Sequence, residues 1–177
     1  MPAVERRITI NASPEQVFGY LSDITRHPEW ASHDLKVERT SSGPVAVGST
    51  FSSVGHQMGE HKAQIKVTEC DPNSGFAFEA EDDTGLFRHY FRVQPGDGGT
   101  VLTKGFDPLR LSMMLKLLMP VGRMFIVPRE LDGNLKAIKA KLEGGALAEA
   151  PMAQPSAPAE SEPEEPEAGA AETEESA

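Results

Sequence analysis

The chain has a single cysteine, Cys70, so it can form no internal disulfide, and its thiol reads as a plain one. It has no basic excess of the kind that duplex nucleic acid demands, with 17 Lys and Arg against 27 Asp and Glu. No apolar run is long enough to cross a bilayer, and "MPAVERRITI" lacks the apolar core of a signal peptide. There is no internal repeat. These absences predict a cytoplasmic protein without an integral membrane segment and without a nucleic-acid partner.

What is present divides in two. Residues 146–177 hold nine Glu and five Pro, with no Lys, Arg or aromatic residue. Such a segment cannot bury enough apolar surface to offset its ordering entropy, so a disordered acidic tail is expected. Without those nine Glu the remaining acids outnumber the bases by one, so the acidity belongs to the tail. Residues 1–145 are of a size for one domain with one core.

Within that domain, "ASPEQVFGYLSD" (12–23) carries the signals of a helix start. Ser13 suits the N-cap, Pro14 the first helical position, and Gln16 completes a capping box. His27-Pro28 ends the short helical region. Around and after it come seven short alternating segments: Val4–Ile10, the Leu35–Val37 region, 48–54, 61–67, 76–80, 87–93 and 100–106. The turns between the last six are too short for crossover helices, so neighbouring strands should pair antiparallel. The region 109–145 is helical in pattern, with Pro120 expected to interrupt it and Pro128 to kink the helix or open it. Met124, Leu131, Leu135, Ile138 and Leu142 form one stripe. The predicted class is α+β, a seven-stranded curved antiparallel sheet wrapped around a long C-terminal helix. Two short helices follow strand 1, and the first should plug one mouth of the sheet.

"ITINASPEQVFGYLSDITRHPEW", the "GDGGT" turn before the last strand and "ELDGNLKAIKAKLEG" resemble the polyketide cyclase/dehydrase branch of the START-like SRPBCC superfamily. The resemblance covers about residues 4–144. It implies a helix-grip fold with a cavity between sheet and C-terminal helix. Members of that group include lipid and hormone carriers, aromatase/cyclases, quinone-binding proteins and chaperone-associated domains. It supplies no shared catalytic motif.

The predicted function is the binding or carriage of a hydrophobic small molecule, with no chemistry required and no cofactor. The predicted walls are Phe76, Phe78, Phe87, Phe91 and Phe106 on the sheet, with Met124, Leu131, Leu135 and Ile138 on the helix. His89 shares a face with Phe87, Phe91 and Val93 and is the one candidate for an acid/base or ligand-anchoring role. Arg88, Tyr90 and Arg92 take the other face unless a bulge inverts the strand. The enzymatic alternative is a polyketide-type cyclase or dehydratase using His89. Lys104, beside Leu102 and Phe106, is expected to snorkel to water near a strand end. His27, Trp30 and His33 cluster after the first helix, where Trp30 should pack the end of the sheet.

His56 and His61 flank one turn with only Glu60 for support, so no metal site is expected. "EDD" (81–83) reads as a polar hairpin tip, and "GDGGT" as a turn between strands. The Met-rich stretch around "MMLKLLMPVGRM" is apolar on nearly every side. It predicts either a helix buried on two faces or a mobile apolar gate, and 109–127 is the alternative interaction surface for a protein or membrane.

Overall fold

The computed structural model describes residues 3–56 and 59–144; the segment 146–177 and its expected disorder lie outside them. The first strand, β1 (Val4–Ile10), leads into helix α1 (Pro14–Ser22). The expected capping box is formed. Gln16 N–H donates to the Ser13 hydroxyl at 3.3 Å, and Ser13 N–H donates to the Gln16 side-chain oxygen at 3.0 Å. Asp23 caps a short 3₁₀ helix, Ile24–Glu29. Helix α1 buries Val17, Tyr20 and Leu21 against the sheet, with Phe18 edge-on to Phe76 at 6.4 Å.

Six further strands follow: β2 (Asp34–Arg39), β3 (Thr50–His56), β4 (Glu60–Asp71), β5 (Gly75–Glu81), β6 (Gly85–Gly96) and β7 (Gly99–Leu111). They form one curved antiparallel sheet in the order β1-β7-β6-β5-β4-β3-β2. Thr68 is an extra residue on β4, and Leu109 is an extra residue on β7. Neither bulge lies beside His89, so that strand keeps the expected faces. Arg88 and Arg92 bind Glu69 on the outer face, while His89 stacks on Phe78 inside.

The helical end departs from expectation in three ways. Leu109–Leu111 belong to β7, and Ser112 caps the helix that follows, α2 (Met113–Val121). Pro120 lies inside α2 rather than ending it. A π turn, Gly122–Ile126, then joins α2 to α3 (Val127–Glu143), with Val127 N–H bonded back to Gly122 O. A π turn holds one residue more than an α turn and shifts the facing positions of everything before it. The inward positions therefore run Leu131, Val127, Arg123, Met119 and Leu115, all partly or fully buried. Met124, seven residues before Leu131, would face inward on an unbroken α-helix. Here it is 71% exposed, which removes it from the predicted wall.

The rest of the stripe is buried. Leu131, Leu135, Ile138 and Leu142 pack inward. Helix α3 is also tied to the first strand, with Lys139 Nζ donating to Thr9 O at 2.6 Å and Glu143 accepting from Asn11 N at 2.7 Å. The expectation of a helix buried on two faces fails for α2: Met113, Met114, Leu117 and Leu118 are all exposed.

Candidate functional site

A cavity of about 320 Å³ lies between the concave face of the sheet, the segment 27–35 and α3. Its apolar wall comes from Phe78 on β5, Phe87 on β6 and Phe106 on β7, with Ile65 and Leu35. Phe87 and Phe106 stack with ring centroids 5.7 Å apart. Alternation along each strand places these rings on one face. The mouth is edged by His61 and by Asp82 and Thr84 of the β5–β6 hairpin.

Its other wall is polar. His27, His33, His61 and His89, four of the five histidines, line the cavity together with Lys104, Glu130 and Asn134. The Nδ1 atoms of His27, His33 and His89 are buried and have no hydrogen-bond partner among the described residues. Gly55 leaves room for one of these rings, since a Cβ there would come within 3.3 Å of His33 Nε2. His89 lies in contact with Phe78 and Phe106, yet it keeps some accessible surface because it faces the cavity.

Lys104 corrects the sequence reading. It does not snorkel; it is 2% exposed. Position 104 lies well inside β7, paired with Arg6 on one side and Phe91 on the other, so no strand end is within reach of its stem. Its ammonium donates to Asn134 Oδ1 and sits 4.4 Å from the centre of the Trp30 ring. Asn134 is oriented in turn by its own donation to Trp30 O at 3.0 Å. Burial pushes the Lys104 pKa down to about 7, partly opposed by the carboxylate of Glu130. Burial, then the charge of Lys104, push His89 down to about 3, and the same two causes hold His27 well below its ordinary value. Both rings are thus neutral at pH 7, each with one N–H and one acceptor nitrogen.

Of the ten predicted wall residues, Phe78, Phe87, His89 and Phe106 line the cavity. Phe76, Phe91, Leu135 and Ile138 are buried in the packed core behind it, and Leu131 is buried outside its lining. The reason is depth: one face of a strand or helix serves solid core at one end and cavity at the other, and periodicity is the same for both. Asn134 is missing from the predicted wall, although a polar residue three after Leu131 on an apolar stripe is a signal visible in sequence. Trp30 packs edge-on against Phe91 at 5.9 Å, and His27 stacks on Trp30 at 3.9 Å.

His61, Asp82 and Asp83 draw together at the cavity mouth, with ligand atoms within 4.8 Å of one another. One Asp82 oxygen is already engaged, accepting from Thr84 N, Thr84 Oγ1 and Gly85 N at 2.6–3.0 Å. That is the hydrogen bonding of a hairpin tip. Among the described residues no helix is long and apolar enough to cross a membrane.

Comparison with known proteins places this geometry. No curated protein matches the sequence. Among solved structures, a protein of Thermus thermophilus superposes with a TM-score of 0.66 at 15% identity, covering 82% of this chain and 99% of its own. A START superfamily protein from Mycobacterium smegmatis gives 0.62 at 16%, covering 80% and 97%. The di-domain ARO/CYC of the steffimycin biosynthetic pathway gives 0.64 at 16%, covering 81% of this chain and 51% of the other. At such identities these likenesses speak for the fold. The family described as polyketide cyclase / dehydrase and lipid transport matches over residues 1–143, and the chain belongs to it.

Proposed function

We propose that the protein binds a small, mainly apolar molecule in the cavity between sheet and α3, and that carriage or sequestration needs no chemistry. The observation that carries this is the cavity itself: about 320 Å³, walled by Phe78, Phe87 and Phe106, beside a cluster of buried apolar residues. The test uses a neutral fluorescent probe, N-phenyl-1-naphthylamine. Ala80 lines the cavity and is small, so Ala80→Phe should fill free space. The expected result is probe binding by the wild type, lost in Ala80→Phe with little change in melting temperature. A wild type that never binds the probe overturns the reading.

The enzymatic alternative through His89 has less support. A pKa of about 3 makes that imidazole a weak base and keeps it from being an imidazolium acid at neutral pH.

A second reading rests on a separate observation. Met113, Met114, Leu117, Leu118, Met124, Phe125 and Ile126 are exposed on one helical arm. The exposed charged residues from Ser112 to Arg129 are Lys116 and Arg129, both positive, while Arg123 takes an inward position. An apolar arm with only cations suits the surface of an anionic bilayer. Co-sedimentation with phosphatidylglycerol vesicles, lost in Leu117→Glu and absent with phosphatidylcholine, is the expected outcome. Failure to sediment with either lipid removes the membrane reading.

A further inference from the structure

The cavity has an apolar wall and a nitrogen-rich wall, and the second is more than a ligand of pure hydrocarbon requires. Lys104 is buried, and among the described residues no carboxylate lies within salt-bridge distance of its Nζ. Its hydrogen-bond partner, Asn134, is neutral. Glu130 lines the same cavity, but its carboxylate accepts from Ser32 Oγ at 3.2 Å. A buried ammonium without a counter-charge is costly, and an isolated neutral amide offsets only part of that cost.

The surroundings repeat the pattern. His89 pairs with Phe106 across β6 and β7, so Lys104, two residues before Phe106, lies one diagonal step away on the same face. The His27 and His89 rings are 6.4 Å apart, and His27 stacks on the same Trp30 that Lys104 covers. Lys104, without a carboxylate partner, and the rings of His27, His33 and His89 therefore line one space, with the Nδ1 atoms of those rings buried and unpartnered among the described residues. Buried polar groups left open in this way usually mark where something else hydrogen-bonds.

We propose that this inner wall is an oxyanion site, in which Lys104 Nζ with His89 and His27 takes the carboxylate or enolate end of a ligand whose apolar body lies against Phe78, Phe87 and Phe106. The proposal rests on the cavity-binding reading above and names the chemical class of the ligand.

Protonation follows from the same arrangement. The other titratable groups on the cavity wall are His33, His61, Asp82 and Glu130. Burial holds Lys104 near pH 7 for loss of its proton in the unliganded protein. An anion beside it favours the charged form, so anion binding takes up a proton above neutral pH and weakens as pH rises.

The experiment is calorimetric titration of the full chain with 2-naphthoate and with 2-naphthamide, a neutral isostere, at pH 6.5 and pH 9. Both probes are of a size for the cavity. At pH 6.5 the carboxylate is expected to bind at least tenfold more tightly than the amide. That preference should shrink about tenfold by pH 9, with proton uptake visible in buffers of different ionisation enthalpy. In Lys104→Met the two probes should bind alike, and a cooperative thermal unfolding transition shows that the variant is folded. Equal binding of both probes by the wild type overturns the oxyanion site and leaves the cavity reading standing. A preference that survives in Lys104→Met overturns the assignment to Lys104. If neither probe binds, the cavity reading fails and takes the oxyanion site with it. Should Lys104→Met not fold, the wild-type comparison across pH decides alone.

Discussion

Lys104 makes stability rise with pH above neutrality. Its pKa is about 7 in the folded protein against 10.5 in the unfolded chain. Between those values the unfolded state holds more protons, so stability rises with pH from about 7 towards 10.5. Below pH 7 the full cost of burying the charge remains, about 3–5 kcal/mol at roughly 1.4 kcal/mol per unit. Thermal unfolding of the wild type should gain stability between pH 7 and 9.5. Lys104→Met should be more stable than wild type at pH 6.5 and should show little of that rise. His27 and His89 add a second window. Their pKa values are lowered below 6.5, so the stability they allow is lost as pH falls below 6.5, in the case of His89 towards about 3. Gly105 offers a steric case. It pairs with Tyr90, and a Cβ there would lie 2.0 Å from the Tyr90 ring. Gly105→Ala must displace that ring and its hydrogen bond to Glu5, at a cost of about 1–3 kcal/mol by urea denaturation. Introducing Tyr90→Ala as well should recover much of it. At this scale the sequence is readable for faces and not for depth. His89 faces inward as its alternation implies, whereas nothing in the neighbours of Lys104 tells a mid-strand position from a strand end.

The helical arm shows what periodicity can miss. The α stripe Leu131, Leu135, Ile138 and Leu142 is legible because α3 is regular. Met124 falls out of place because an α spacing does not carry through a π turn that no residue pattern announces. The two sides of that turn should respond differently to substitution. Leu135, fully packed in the core, should cost about 2–5 kcal/mol as Leu135→Ala. Met124→Ala should stay within about 0.5 kcal/mol, the range of exposed sites. Chemical denaturation of both checks this. Amides of α2 should also exchange hydrogen faster than those of residues 131–142, because α2 buries only Met119. Equal, strong protection in both would show that the arm is held down by something other than its own core contacts. The strands are legible to within a few residues except at β7. There the bulge at Leu109 breaks the alternation, and the strand's last residues take on a helical pattern.

For the whole molecule, the order of elements and the antiparallel pairing follow from turn lengths, and the curved sheet over a long helix follows from what remains to be buried. Residues 146–177 are proposed to form a tail independent of the domain. Deleting them should leave the melting temperature nearly unchanged, since Leu147 and Met152 are the only sizeable apolar side chains available to dock. A large drop in a thermal scan would show that the tail is part of the folded unit.

The strand order carries one more consequence. β1 neighbours β7, and α3 is bonded to β1, so the first strand of the chain finds its sheet partner only in the last. Everything from Asn11 to Gly98 is synthesised in between. At ordinary ribosomal rates β1 waits roughly 5–20 s before its partner exists. Strands β2 to β6 can zip together as successive hairpins during that interval. That order allows the sheet to grow from its far edge, with β1 seated only once β7 has emerged.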